Sequence, residues 1–116
     1  MVREPGGNLN SEKIRNLILN NKSNFDKLTD LLLYLAARNE NIKKLKKYNT
    51  TKIILIDRFI DSTIAYQHYG FDIDIKLINY INNFILGDFK VDYTFLNIVN
   101  KNNMYERLKN RKSQNR

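Results

Sequence analysis

The stretch Lys52–Gln67, KIILIDRFIDSTIAYQ, decides the fold. Ile53, Ile54, Leu55 and Ile56 form an unbroken apolar run, the pattern of a strand buried on both faces in a parallel sheet. The run stops at Asp57 and Arg58, and Asp61, Ser62 and Thr63 follow within one helical turn. Open α/β sheets bind ligands in the crevice beyond the carboxyl ends of their strands. An acid, an arginine and two hydroxyls therefore stand where such folds keep their chemistry.

Around this strand the chain alternates helix and strand. Pro5, the sole proline, is followed by Gly6 and Gly7, so Arg3–Gly7 (REPGG) reads as a loop. It opens onto a helix near Asn10 or Ser11, with an apolar stripe of Ile14, Leu17 and Ile18. A longer helix spans about Asp26 to Lys47, its core face being Leu28, Leu31, Leu32, Leu35, Ile42 and Leu45. After the strand come a short helix near Ser62 and an amphipathic helix from about Asp74. That helix turns Ile75, Ile78, Ile81 and Ile85 inward and stops at Gly87. Tyr93–Val99 reads as a second strand and Asn103–Lys112 as a last helix. The alternation predicts a three-layer α/β/α fold on a parallel sheet, in one domain over residues 1–116.

Composition narrows the function. The absence of cysteine rules out disulfides and thiolate metal sites within these residues and fits a reducing cytoplasm. No apolar run reaches the roughly 18 residues of a membrane span. A formal net charge of +8 favours an anionic partner, with basic clusters at Lys43, Lys44, Lys46 and Lys47 and at Arg107, Lys109, Arg111, Lys112 and Arg116. Nucleic acid, phosphorylated small molecules and plain solvation all satisfy that charge, and no nucleic-acid-binding motif accompanies it.

Several residues suit phosphate or base recognition. Arg58 at a strand end can meet a phosphate in bidentate geometry, and Asp57 can orient it, reach a metal ion or reach the attacking group. Tyr34 and Arg38 lie four apart on one helix face, an aromatic plate beside a donor fork. They suit a planar base or equally the margin of a core. Arg15 faces the same crevice or solvent, and Tyr66 and Gln67 line the pocket or pack a helix end. His68 has no companion at a useful spacing and reads as a surface histidine. No G-x-x-x-x-G-K-[ST] phosphate loop occurs in the chain.

In order and spacing, REPGG (3–7), SEKIR (11–15), YLAAR (34–38), DRFIDSTIAYQ (57–67) and LGDFKVDYTFLNI (86–98) resemble bacterial thymidylate kinase. The resemblance implies a P-loop nucleoside monophosphate kinase fold and phosphorylation of dTMP to dTDP by ATP with Mg²⁺. Tyr34 takes the place of the aromatic that stacks on thymine, Arg38 that of the arginine on the base edge, and Thr63 and Gln67 those of further base contacts. Tyr66 matches the tyrosine beside the deoxyribose, Arg15 and Arg58 the arginines on the acceptor phosphate, and Asp57 the motif acid near the reacting phosphates. Glu4 and Pro5 fall on the loop beside the sugar. The family's first strand and phosphate loop have no counterpart here, nor do its last strand and helix. Of its basic lid, Arg116 alone has a match. The resemblance thus implies the acceptor half of such an enzyme, truncated at both ends and poorly active alone, in a family of cytoplasmic homodimers. A non-catalytic remnant that binds dTMP weakly is the alternative, and a small basic nucleic-acid-binding protein is a third.

Overall fold

The computed structural model describes residues 1–48 and 51–110. Strand β1 (Val2–Arg3) runs parallel to β2 (Ile56–Asp57), pairing Val2 with Ile56 and Arg3 with Asp57. Backbone bonds from Val2 N–H to the Leu55 carbonyl (2.7 Å) and from Glu4 N–H to the Asp57 carbonyl (3.0 Å) extend the ladder. Helix α1 covers Leu9–Ile18 and α2 covers Lys27–Leu45. After β2, α3 (Ile60–Thr63) runs straight into a π-helical segment, Ile64–Gly70. Helices α4 (Ile75–Leu86) and α5 (Lys101–Lys109) complete the order.

Local chemistry sets the helix starts. Asn8 accepts from the Asn10 and Ser11 amides, Asp26 from those of Leu28 and Thr29, and Asp74 from that of Lys76. Each side-chain oxygen satisfies amides that a first helical turn leaves without partners. Gly87, at φ 55°, ends α4 in a conformation that glycine adopts without penalty.

The core lies between α2, α4 and one face of the sheet. Leu31, Leu35 and Ile78 form one buried cluster. Ile42, Leu45, Leu86 and Phe89 form another, against which Val2, Ile54 and Ile56 pack. The expected strand over Ile53–Ile56 is corrected in two respects. It is shorter, and it is buried on one face: Ile53 is 93% exposed and Leu55 59%. Alternate strand residues point to opposite faces, so the helices cover Ile54 and Ile56 and leave their neighbours bare.

The second expected strand, Tyr93–Val99, has no regular structure and is exposed throughout. A strand needs a neighbour to satisfy its backbone, and among the described residues none pairs with it. Two apolar stripes are narrower than their periodicity suggests. Leu17 on α1 and Leu28 and Leu32 on α2 are exposed, because packing reaches one flank of each helix. The Arg3–Gly7 loop begins one residue late, since Arg3 belongs to β1. His68 is half-buried, with Nδ1 2.8 Å from the Ile73 carbonyl oxygen, and not a free surface residue. The last helix starts at Lys101, and its expected end at Lys112 lies outside the described residues, as do Arg111 and Arg116.

The register of α2 can be tested with adjacent leucines. Leu31→Ala is expected to cost ~2–5 kcal/mol, and Leu32→Ala less than about 1 kcal/mol, in urea denaturation. Equal losses would contradict the packing of α2 on α4.

Candidate functional site

The site is assembled behind the carboxyl end of β2 by the loop after β1, the middle of α2, and α3 with its π-helical continuation. The loop is fixed first. Gly7, at φ 99°, donates its amide to Glu12 Oε1 (2.9 Å), and an added Cβ there would lie 2.6 Å from Val2 Cγ1. Asn41 on α2 donates Nδ2 to the Gly6 carbonyl (2.6 Å), and its Oδ1 accepts from Asn8 Nδ2 (2.8 Å). Ser11 donates to the Ala37 carbonyl at 2.7 Å, holding α1 to α2. Arg15 Nη1 donates to the Pro5 carbonyl at 2.8 Å. These bonds clamp residues 4–8 onto α2 and set Glu4 beside Arg38.

Arg38 is 3% exposed, and its guanidinium is engaged on three sides. Nε donates to Glu4 Oε2 at 2.8 Å, Nη2 to Thr63 Oγ1 at 2.9 Å, and Nη1 to Asn82 Oδ1 on α4. Its carbon lies 4.9 Å from the centre of the Phe59 ring. Helical spacing puts Arg38 on the flank of the leucine stripe; the structure shows it fully buried there, neither solvated nor loose. A guanidinium keeps its charge at any accessible pH, so it is tolerated here because each edge meets an acceptor.

In front of this network lies a cleft lined by Glu4, Tyr34, Arg38, Arg58, Phe59, Ser62, Thr63, Tyr66 and Gln67. Its empty space, counted out into open solvent, is about 300 Å³. Burial pushes the Tyr34 phenol above its ordinary 10.0, while the nearby Arg58 and Arg15 guanidinium groups hold it down. The phenol stays neutral and keeps its O–H. Arg58 is exposed, has a backbone φ of 65°, and stacks over the Tyr66 ring at 4.7 Å. The left-handed conformation costs a non-glycine residue about 1–2 kcal/mol, which tertiary contacts must offset.

The cleft unites most of the residues singled out in the sequence. Pro5 on the loop and Arg15 on α1, which donates to its carbonyl, lie outside the lining, as does Asp57. The expected role of Asp57 in holding Arg58 is corrected: among the described residues no ion pair joins them, and Arg58 leans on Tyr66. Phe59 and Asn82 join the set that sequence reasoning assembled, and Ser62, one of its two hydroxyls, lines the cleft. Asn82 had a signal, because it stands one turn beyond Ile78 and interrupts the apolar face of α4 with an amide. Among the described residues no three His, Cys, Asp or Glu side chains gather to hold a metal ion. No described helix is long and apolar enough to cross a membrane.

Helices packed on a parallel strand pair, with a cleft beyond the strands' carboxyl ends, are the arrangement of the P-loop nucleoside monophosphate kinase fold. The model of the family Thymidylate kinase matches residues 1–116, and the chain belongs to that family. It is 47% identical over 98 residues to a thymidylate kinase of Ehrlichia ruminantium (strain Gardel), covering 83% of this chain and 48% of that protein. To the thymidylate kinase of Ehrlichia chaffeensis it is 42% identical over 109 residues, covering 92% and 53%. The crystal structure of thymidylate kinase from Ehrlichia chaffeensis matches with a TM-score of 0.78 at 42% identity, over 93% of this chain and 59% of that one. The chain thus spans about half the length of the curated relatives it matches.

Glu4 supplies a test of the buried network. Burial pushes its carboxyl above the ordinary 4.5, and the Arg38 charge and hydrogen bond, with a smaller contribution from the Asn41 amide, oppose this without cancelling it. A folded-state pKa above the unfolded one means that this group's stabilisation is full below 4.5 and is lost as pH rises through the raised value. Urea midpoints measured upward from that pH are expected to show a decline that Glu4→Gln removes. An unchanged slope in the variant would mean that Glu4 ionises normally in the folded protein.

Proposed function

We propose that the cleft binds dTMP as a phosphoryl acceptor, and that the chain serves phosphorylation of dTMP to dTDP by ATP. One observation carries the reading: Tyr34, Arg38, Arg58, Thr63, Tyr66 and Gln67 line a single cleft, with Arg38, Thr63 and Gln67 buried and Arg58 and Tyr66 exposed. The buried end suits a planar pyrimidine. A neutral tyrosine offers a face for stacking, and a fixed guanidinium offers donors to ring carbonyls. The open end suits a phosphate. Arg58 stacked on Tyr66 at an exposed site gains about 0.5–1 kcal/mol, less than the roughly 1.5–3 kcal/mol of a hydrogen bond to a charged group. An arriving phosphate therefore outcompetes the ring, and Arg58 swings to grip it. Arg15 on α1, tied to the Pro5 carbonyl, is the second cation proposed for that phosphate. Glu4 lines the cleft, and by family resemblance we assign Glu4 and the adjacent Pro5 to the sugar side.

Phosphoryl transfer asks a protein to hold two phosphates in line and to neutralise charge on the migrating group. The acceptor side of that task is present. For the donor, the chain has no G-x-x-x-x-G-K-[ST] loop, and the described residues offer no cluster for Mg²⁺. These residues do not fit ATP and its metal, so the proposal assigns none to them. Asp57, exposed at the end of β2 and outside the cleft lining, is the acid we assign to the reacting phosphates by family resemblance.

Calorimetry on the purified chain tests the reading. Binding of dTMP is expected, and Arg58→Ala is expected to weaken it by about 10- to 100-fold. No dTMP binding, together with salt-dependent binding to random duplex DNA, would replace it with a nucleic-acid function. A coupled ADP-release assay is expected to stay near background for the 116-residue chain alone. Turnover at the rate of a complete kinase would contradict the assignment of this chain to the acceptor side.

A further inference from the structure

The inward face of α4 is otherwise apolar, with Ile78 and Leu86 buried on it, yet Asn82 sits among them at 1% exposure. Its Oδ1 accepts from Arg38 Nη1, while its Nδ2 has no partner among the described residues. A buried amide with an unpaired donor is not what stability alone selects. Its use lies in the acceptor oxygen.

The three acceptors around Arg38 are not equivalent. Glu4 and Thr63 line the cleft, where a ligand competes for them or for the donors they receive. Asn82 lies outside the lining and holds the guanidinium from behind, so its bond persists whether the cleft is empty or filled. With Nε and both terminal nitrogens each bonded once, the plane of the fork is fixed, and one further N–H on each terminal nitrogen remains for a ligand. Such donors pair with a ring carbonyl and cannot pair with a ring amino group.

We propose that Asn82 is a positioning residue for base selection: its side-chain oxygen holds Arg38 so that the free guanidinium N–H bonds favour a pyrimidine with a carbonyl at C4 over one with an amino group there. The base-selection part rests on the dTMP reading above; the positioning of Arg38 by Asn82 does not. Two measurements keep them apart. In the ligand-free chain, ¹⁵N spectra of the Arg38 side chain are expected to show hindered rotation with separate terminal-nitrogen signals. Asn82→Leu is expected to average those signals, and Asn82→Asp, which keeps an acceptor, to preserve them.

In calorimetry, Asn82→Leu is expected to cut the preference for dTMP over dCMP by about tenfold, through dTMP affinity, while Asn82→Asp stays within about threefold of the unaltered chain. Should Asn82→Leu fail to fold, Asn82→Ala takes both measurements. Unchanged Arg38 signals and unchanged preference in the variant would overturn the proposal. So would an equal loss of dTMP and dCMP binding alongside a lower melting temperature, the mark of a packing role. An unaltered chain that binds neither nucleotide would overturn the dTMP reading and base selection together, and the spectra would still decide whether Asn82 positions Arg38.

Discussion

One buried cation organises the molecule. The Arg38 guanidinium joins α2 to the loop after β1 through Glu4, to α3 through Thr63, and to α4 through Asn82. An arginine cannot shed its charge on burial, so each partner removed leaves a donor stranded in low dielectric. The segments it touches are therefore bound to one relative placement more strictly than apolar contact would impose. Replacing such a network with hydrophobic residues often leaves a protein as stable or more so. Its presence at the rear of a cleft is better explained by what it presents to that cleft.

Rigidity is divided unequally across the site. At the rear, Glu4, Arg38, Thr63 and Gln67 are all buried and bonded or packed. At the mouth, Arg58 and Tyr66 are exposed and held by a ring contact worth little energy. A fixed rear spares the entropy of ordering those side chains on binding, and a loose mouth leaves the Arg58 side chain free to move. The π-helical turn Ile64–Gly70 belongs to this arrangement. It carries Tyr66 and Gln67 side by side, one exposed and one buried, both on the cleft.

Much of this was legible in the sequence where the signal was local. Asp26, Asp74 and Gly87 announce helix ends through capping chemistry that operates within a few residues. Helical spacing put Tyr34 and Arg38 on one face and the motif after the strand singled out Arg58, Thr63, Tyr66 and Gln67, and all six line the cleft. What failed depended on neighbours. Ile53–Ile56 and Tyr93–Val99 have the composition of buried strands, yet a strand is buried by what packs on it, and composition cannot say which face is covered. The depth of Arg38 was hidden for the same reason. Its acceptors come from Glu4, Thr63 and Asn82, each distant in sequence, and i, i+4 geometry says nothing about them.

The cleft and the sheet also differ in what they depend on. Every cleft-lining residue falls between Glu4 and Gln67, and Asn82, the last of the Arg38 partners, lies on α4. Beyond Phe89 the described chain buries nothing, α5 included. The walls of the cleft are thus fixed by helix packing and by the Arg38 network, while β1 and β2 contribute mainly a platform two residues deep. The uncovered face of that platform, marked by Ile53 and Leu55, bears on the stability of the sheet and not on the shape of the cleft. The shape of the cleft and the cover of the sheet are then separable properties. The first resides in contacts that the described residues already make.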